Sequence, residues 1–260
     1  MKFSLSAAWD ETKAILGRDG RLYAAIALAL IVLPGVILSL SVPEGPPDEL
    51  PSPGPWVAVL IVSMVISIAG QLALIRMAVG PQLSVAEAIA HGLRRLLPYL
   101  GAVLIWSVPA GLVGYLLFQA AGPNPAAPRP AAMLGLLLWL IAVLFIIVRL
   151  LLAPAVASAE QTSPMAILRR SWAASRGNWW RLFAFTVLFG IAVIILLTVV
   201  EVVVGSIAAA TLGTGPWTVG TLVVAIASQL VSAALSIVFF VMLARIYVQL
   251  SGRDTVEHSS

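Results

Sequence analysis

The chain contains no cysteine. That excludes disulfides, zinc–thiolate sites and a lipid anchor on a cysteine. Histidine is nearly absent as well. His91 and His258 are the only two, too few to build a metal cluster by themselves. Charge is the third scarcity. Only 10% of the residues are Asp, Glu, Lys or Arg, whereas soluble globular chains carry about 25%. The chain is 61% hydrophobic and has a mean hydropathy of +1.05, so its polar residues are too few to cover a water-facing globule. At about 20 residues per crossing, a chain of 260 residues has room for at most about a dozen spans. Little is left for a soluble catalytic domain or a sizeable extramembrane sensor. The net charge of +4 is small and scattered, which argues against nucleic acid as a partner. Arginine outnumbers lysine, and Ala, Gly and Pro abound. Both fit a GC-rich bacterial coding sequence.

What is present is apolar and continuous. Six segments, near 22–40, 56–79, 97–120, 131–153, 182–209 and 217–243, are each long enough to cross a hydrocarbon layer of ~30 Å. The last of them can continue as helix towards Leu250. Their apolarity does not alternate, which predicts helices rather than a barrel. The fold class expected is therefore all-α integral membrane, a single domain of six transmembrane helices with a short tail over 251–260. The first span is read as a retained helix and not a signal peptide. Asp10, Glu11 and Asp19 precede it, it is too long, and no small-x-small cleavage site follows.

Orientation is read from basic residues in the short loops. Lys2, Lys13, Arg18, Arg21, Arg94, Arg95, Arg169, Arg170, Arg176, Arg181 and Arg253 fall on one side, and Arg129 alone on the other. The rule then puts both termini in the cytoplasm. The first outer loop, with Glu44, Asp48 and Glu49, agrees with this. Tyr23, Tyr99, Trp179 and Trp180 stand where odd-numbered spans enter from the cytoplasm, and Trp56 and Trp217 where even-numbered spans enter from outside. Aromatic rings of this kind prefer the headgroup level.

One pattern recurs every 76–80 residues, over units near 4–79, 84–153 and 163–250. Each unit has a short amphipathic stretch, a span, a Pro/Gly-rich outer loop and a second span with one arginine near its inner end: Arg76, Arg149 and Arg245. Such repeats occur in transporters, and also in membrane proteins that carry nothing. The amphipathic stretches have clear starts. Ser84-Val85-Ala86-Glu87 reads as a capping box, and Ser163-Pro164 as a cap residue before a first-turn proline. Ile89, Leu93, Leu96 and Leu97 make an apolar stripe, as do Ile167, Leu168 and Trp172 opposite Arg169, Arg170 and Arg176. Helices of this kind lie in the headgroup plane. Arg94, Arg95, Arg169, Arg170, Arg176 and Arg181 are therefore candidates for anionic lipid headgroups, or else simply anchors that set topology.

Several residues stand out within the spans. Glu201 is a candidate intramembrane acid, which can pair with a base, take up a proton or meet a polar substrate; its blander reading is an interfacial glutamate in reach of water. Arg76, Arg149 and Arg245, placed alike in their units, are read as snorkelling to the phosphates. Pro34 and Pro109, each followed closely by a glycine, are expected to kink the first and third spans. Gln71, Gln119 and Gln229 are expected to bond between helices. His91 is expected to be solvated. No phosphate-cradling glycine loop, zinc-protease motif or nucleophile elbow is present, and no carboxylate pair joins a histidine in a span. No catalytic residue, metal or cofactor is expected, and the protein is read as non-enzymatic.

One segment is distinctive. It runs from Arg149-Leu150-Leu151-Leu152-Ala153-Pro154 through Glu160 and Ser163-Pro164-Met165-Ala166-Ile167-Leu168-Arg169-Arg170-Ser171-Trp172 to Ser175-Arg176-Gly177-Asn178-Trp179-Trp180-Arg181-Leu182-Phe183. It resembles the bacterial membrane domain associated with glycerophosphoryl diester phosphodiesterases, which also occurs as a stand-alone membrane protein. The close likeness covers about 40 residues, and the six-span layout is similar elsewhere. The resemblance implies a bacterial inner-membrane protein concerned with phospholipid or envelope metabolism. It implies no phosphodiesterase activity, because that chemistry belongs to a separate barrel domain. The expectation is thus a protein that binds or organises membrane phospholipids, or assists a protein partner acting on them. A transporter of a small or amphiphilic solute, built on Glu201 and the kinked helices, is the alternative. An assembly subunit, packing through Gly111 and Gly114, is the third reading.

Overall fold

The computed structural model describes residues 3–43, 52–80, 83–122, 129–213 and 218–252. Lys2, Glu44, Asp48, Glu49, Trp217, Arg253 and His258 lie outside these residues. Among the described residues there are helices and no strands. The helices are α1 (Leu5–Ala27), α2 (Leu33–Ser41), α3 (Pro55–Val79), α4 (Val85–Ala121), α5 (Pro130–Leu150), α6 (Ala153–Ala159), α7 (Pro164–Ala174), α8 (Trp179–Thr211) and α9 (Val219–Ser251). Six helical segments are long and apolar enough to cross a membrane: Leu5–Ser41, Pro55–Val79, Val85–Ala121, Pro130–Ala159, Trp179–Thr211 and Val219–Ser251. This is an all-α, multi-pass membrane architecture. Its spans are the six expected, since only helices satisfy every backbone polar group internally within a bilayer.

The helix starts follow local chemistry. Ser84 and Glu87 form the expected capping box. The Glu87 N–H donates to Ser84 Oγ at 3.3 Å, and the Ser84 N–H donates to Glu87 Oε2 at 2.9 Å. Pro164 opens α7, but Ser163 makes no side-chain cap bond there. Pro34 is buried at the start of α2, and the turn before it, Leu28–Val32, widens to a π-helix. The Leu33 N–H reaches back five residues to the Leu28 carbonyl. That extra residue absorbs the missing donor and ring clash of the proline. Pro109 lies on an exposed face, and α4 runs through it unbroken.

The amphipathic stretches differ from the expectation in two units. In the first and second they are continuous with the span. At 37 residues, α4 is about 55 Å long at 1.5 Å per residue, well over the ~30 Å of hydrocarbon. Its apolar stripe is divided: Ile89 and Leu96 pack against the core, whereas Leu93 is exposed and Leu97 is 76% exposed. Only the third stretch, α7, is a separate helix. It ends because Gly177 adopts φ +74, a left-handed conformation that costs glycine nothing. The first two units have no such stop.

The core lies towards the arginine-rich end of the bundle. Leu72–Ile75 of α3, all of 153–158, and Val241–Ala244 with Ile246–Val248 of α9 are buried. At the opposite end fewer side chains are buried. Large apolar side chains such as Phe118, Val202 and Ile207 stand exposed there, as a lipid-facing surface requires. The helices α3 and α9 are central and pack on each other, on α1 and on α6, while α5 packs at the rim against α4, α7 and α8. The three sequence units therefore take unequal places.

Candidate functional site

Helix α6 explains why the distinctive segment holds the molecule together. Built almost wholly of Ala, Val and Ser after Pro154, it is small enough to fit between α3, α4, α7 and α9. Burial leaves its final carbonyls without water, and these must be satisfied from elsewhere. Arg95 of α4 does so. Its Nε donates to the Ala157 carbonyl at 2.8 Å, and its Nη2 to the carbonyls of Glu160 and, at 3.3 Å, Thr162. A guanidinium at the negative end of a helix is doubly favourable. His91 Nε2 donates to the Ser158 carbonyl at 2.9 Å, and Ser158 Oγ donates to the Leu72 carbonyl at 3.1 Å. Glu160, just past α6, accepts the Tyr247 hydroxyl at 2.7 Å and pairs with Arg170. His91 is thus half-buried and bonded rather than solvated, because α6 comes to rest beside it.

Four of the six expected lipid contacts have partners in the protein or in their own helix. Arg95 and Arg170 serve α6 and Glu160 as described. Arg181 donates to the Phe3 carbonyl at 2.7 Å, tying the start of the chain to α8. Arg94 is exposed and donates to Ala90 of its own helix at 3.2 Å.

The three arginines placed alike in the sequence have unlike surroundings. Arg245 has a partner within the protein. It pairs with Glu11 of α1, which also accepts Gln249 Nε2 at 3.2 Å. Arg149 lies over the rings of Phe145, at 5.2 Å, and Trp172, at 5.4 Å. These are cation–π distances. Its Nε and Nη1 are buried with no acceptor among the described residues. Arg76 folds back over Gly80, and its Nε likewise has no acceptor among the described residues.

Arg169 and Arg176 are exposed, and neither guanidinium has a hydrogen bond or ion pair among the described residues. They border an apolar groove of ≈ 530 Å³ whose walls include Trp106, Ile146, Leu150, Leu168 and Trp172. Trp106, Leu150 and Leu168 also line a second cavity of ≈ 390 Å³, which reaches Gln71 and Phe239 between α3 and α9. The two spaces therefore adjoin, making an apolar cleft with two exposed cations at its mouth. Arg169 and Arg176 belong to the amphipathic stretch that the sequence singles out. Trp106 was missed, since nothing in the sequence of α4 singles it out.

Glu201 is elsewhere, in the half of the bundle away from the arginine-rich end. It lies ten residues before the end of α8, about 15 Å from it at 1.5 Å per residue. It borders a third cavity, of ≈ 440 Å³, between α2, α8 and α9, together with Ser39, Thr221, Ser228 and Gln229. Gln229 packs against Gly35 of α2.

Fold and cleft together define a six-span helical membrane protein with a basic-mouthed apolar cleft beside its third amphipathic helix. The family model of DUF7847, a domain of unknown function, matches residues 4–250, and the chain belongs to that family. No curated protein and no solved structure matches it.

Proposed function

We propose that this protein is a non-enzymatic component of the bacterial cytoplasmic (inner) membrane, with both termini in the cytoplasm. It binds or organises anionic phospholipids, or presents them to a partner that acts on them. The observation that carries this reading is the pairing of Arg169 and Arg176 with the apolar groove of ≈ 530 Å³. A phospholipid needs both halves of that arrangement. Its phosphate is met by guanidinium groups, which bind phosphate through paired hydrogen bonds. Its acyl chain lies against the tryptophan and leucine walls. Each arginine near an anionic surface contributes on the order of 1 kcal/mol. The groove adds a shaped contact that a bare basic loop lacks. The likeness of residues 149–183 to the membrane domain associated with glycerophosphoryl diester phosphodiesterases supports a lipid-related role, and the one-sided distribution of basic residues supports the orientation.

The test is lipid mass spectrometry on protein extracted in polymer-bounded native discs, with an unrelated six-span protein as control. Enrichment of an anionic phospholipid several-fold over bulk, lost in an Arg169→Gln/Arg176→Gln variant, is the expected result. A lipid profile equal to that of the bulk membrane would overturn the proposal.

A further inference from the structure

A second site lies in the half of the bundle away from the arginine-rich end, apart from the cleft. The facing sides of α8 and α9 carry small residues there. Gly205, Ala208 and Ala209 on one helix and Gly220 and Ala225 on the other have side chains too small to fill the space beside them. Into the ≈ 440 Å³ left between them and α2 come Glu201, the hydroxyls of Ser39, Thr221 and Ser228, and the amide of Gln229. Among the described residues no lysine or arginine pairs with Glu201, although four other ion pairs are present. Ser228 Oγ is buried and has no hydrogen-bond partner among them. A carboxylate and an unused hydroxyl at membrane depth are costly unless something answers them.

We infer that this cavity is a binding site for a small organic cation, a primary ammonium carried on an apolar body. The carboxylate of Glu201 supplies the counter-charge. The hydroxyl of Ser228 is an acceptor for an ammonium N–H group, of which such a cation has three. The apolar walls, Leu40, Val224 and Ala225, take the body. A bare divalent ion fits poorly. Calcium takes about 6–8 oxygen ligands at short range, whereas Glu201 is the one carboxylate on these walls, and the space is far larger than an ion. The inference goes beyond the lipid reading and uses none of its residues.

The experiment is equilibrium binding of tritiated 2-phenylethylamine, protonated at neutral pH, to the purified full-length protein in uncharged detergent. Saturable binding is expected, with no competition from 2-phenylethanol, which has the same body and no charge. Glu201→Gln should weaken binding at least tenfold. Gly205→Leu keeps the acid but projects a side chain into open space, as nothing lies within 4 Å of a Cβ there. It should weaken binding comparably. Arg169→Gln/Arg176→Gln should leave it unchanged, so that failure of the lipid reading is seen separately. Absence of saturable binding to the unaltered protein, equal binding by Glu201→Gln, or full binding by Gly205→Leu would each overturn the assignment.

Discussion

Arg95 Nε of α4 donates to the Ala157 carbonyl of α6 at 2.8 Å, while its neighbour Arg94 donates to Ala90 within its own helix at 3.2 Å. Two adjacent arginines, equivalent as basic residues in a loop, thus have different duties. One holds a buried helix end and the other faces outwards. Replacing Arg95 by alanine strands carbonyls of α6 and is expected to cost about 1.5–3 kcal/mol, the range for hydrogen bonds to charged groups. Arg94→Ala is expected to stay within about 0.5 kcal/mol of the unaltered protein. Thermal unfolding followed by size-exclusion chromatography in detergent distinguishes them. Equal midpoints would contradict the assignment.

Glu160 joins α7 and α9 through Arg170 and Tyr247. Its side chain is 14% exposed, whereas that of Arg170 is 55% exposed, so solvent weakens the ion pair. Tyr247→Phe is therefore expected to cost about 1 kcal/mol, and Arg170→Gln less. Once Glu160 is alanine, Tyr247→Phe should cost almost nothing further. A double-mutant cycle in stability measures this coupling.

Gly92 of α4 sits against the backbone of α3, where an added Cβ would run into the Ala69 carbonyl and come within 3.2 Å of the Ala73 nitrogen. No flexible side chain is there to yield. Gly92→Leu should force α3 and α4 apart at a cost of about 1–3 kcal/mol or more. Gly111→Leu, where nothing lies near, should be tolerated. Expression level and monodispersity report the difference.

Because the chain has no cysteine, single introduced cysteines map its orientation cleanly. Ser163 and Arg129 are both exposed and lie at opposite ends of the bundle. If the arginine-rich end is cytoplasmic, an impermeant maleimide added to whole cells should label Arg129→Cys and spare Ser163→Cys until the membrane is opened. The reverse pattern would invert the proposed topology.

The parts of this structure legible in the sequence are those fixed by near neighbours. The six spans follow from continuous apolarity, and the Ser84–Glu87 box spans three residues. The roles of the arginines were less legible because their partners are remote in the chain. Arg95 meets Ala157 62 residues on, and Arg245 meets Glu11 234 residues back. A basic residue at a span end reads as a topology signal whether or not a buried helix terminus waits beside it. Arg149 did carry a local signal, since Phe145 stands one turn before it, but the stacking on Trp172 required α7 to fold back. The groove was half legible. Its cations, Arg169 on α7 and Arg176 just past the end of that helix, come from the stretch that the sequence marked, whereas its walls combine α7 with α4 and α5.

The most direct test of the lipid reading is to locate the bound lipid. A phosphatidylglycerol with a photoactivatable group on its acyl chain is incorporated into native discs, irradiated, and the labelled peptides are sequenced. The predicted result is labelling concentrated at Trp106, Ile146, Leu150, Leu168 and Trp172, and abolished in Arg169→Gln/Arg176→Gln. Labelling spread along the exposed apolar face of α8, and indifferent to those arginines, would contradict it.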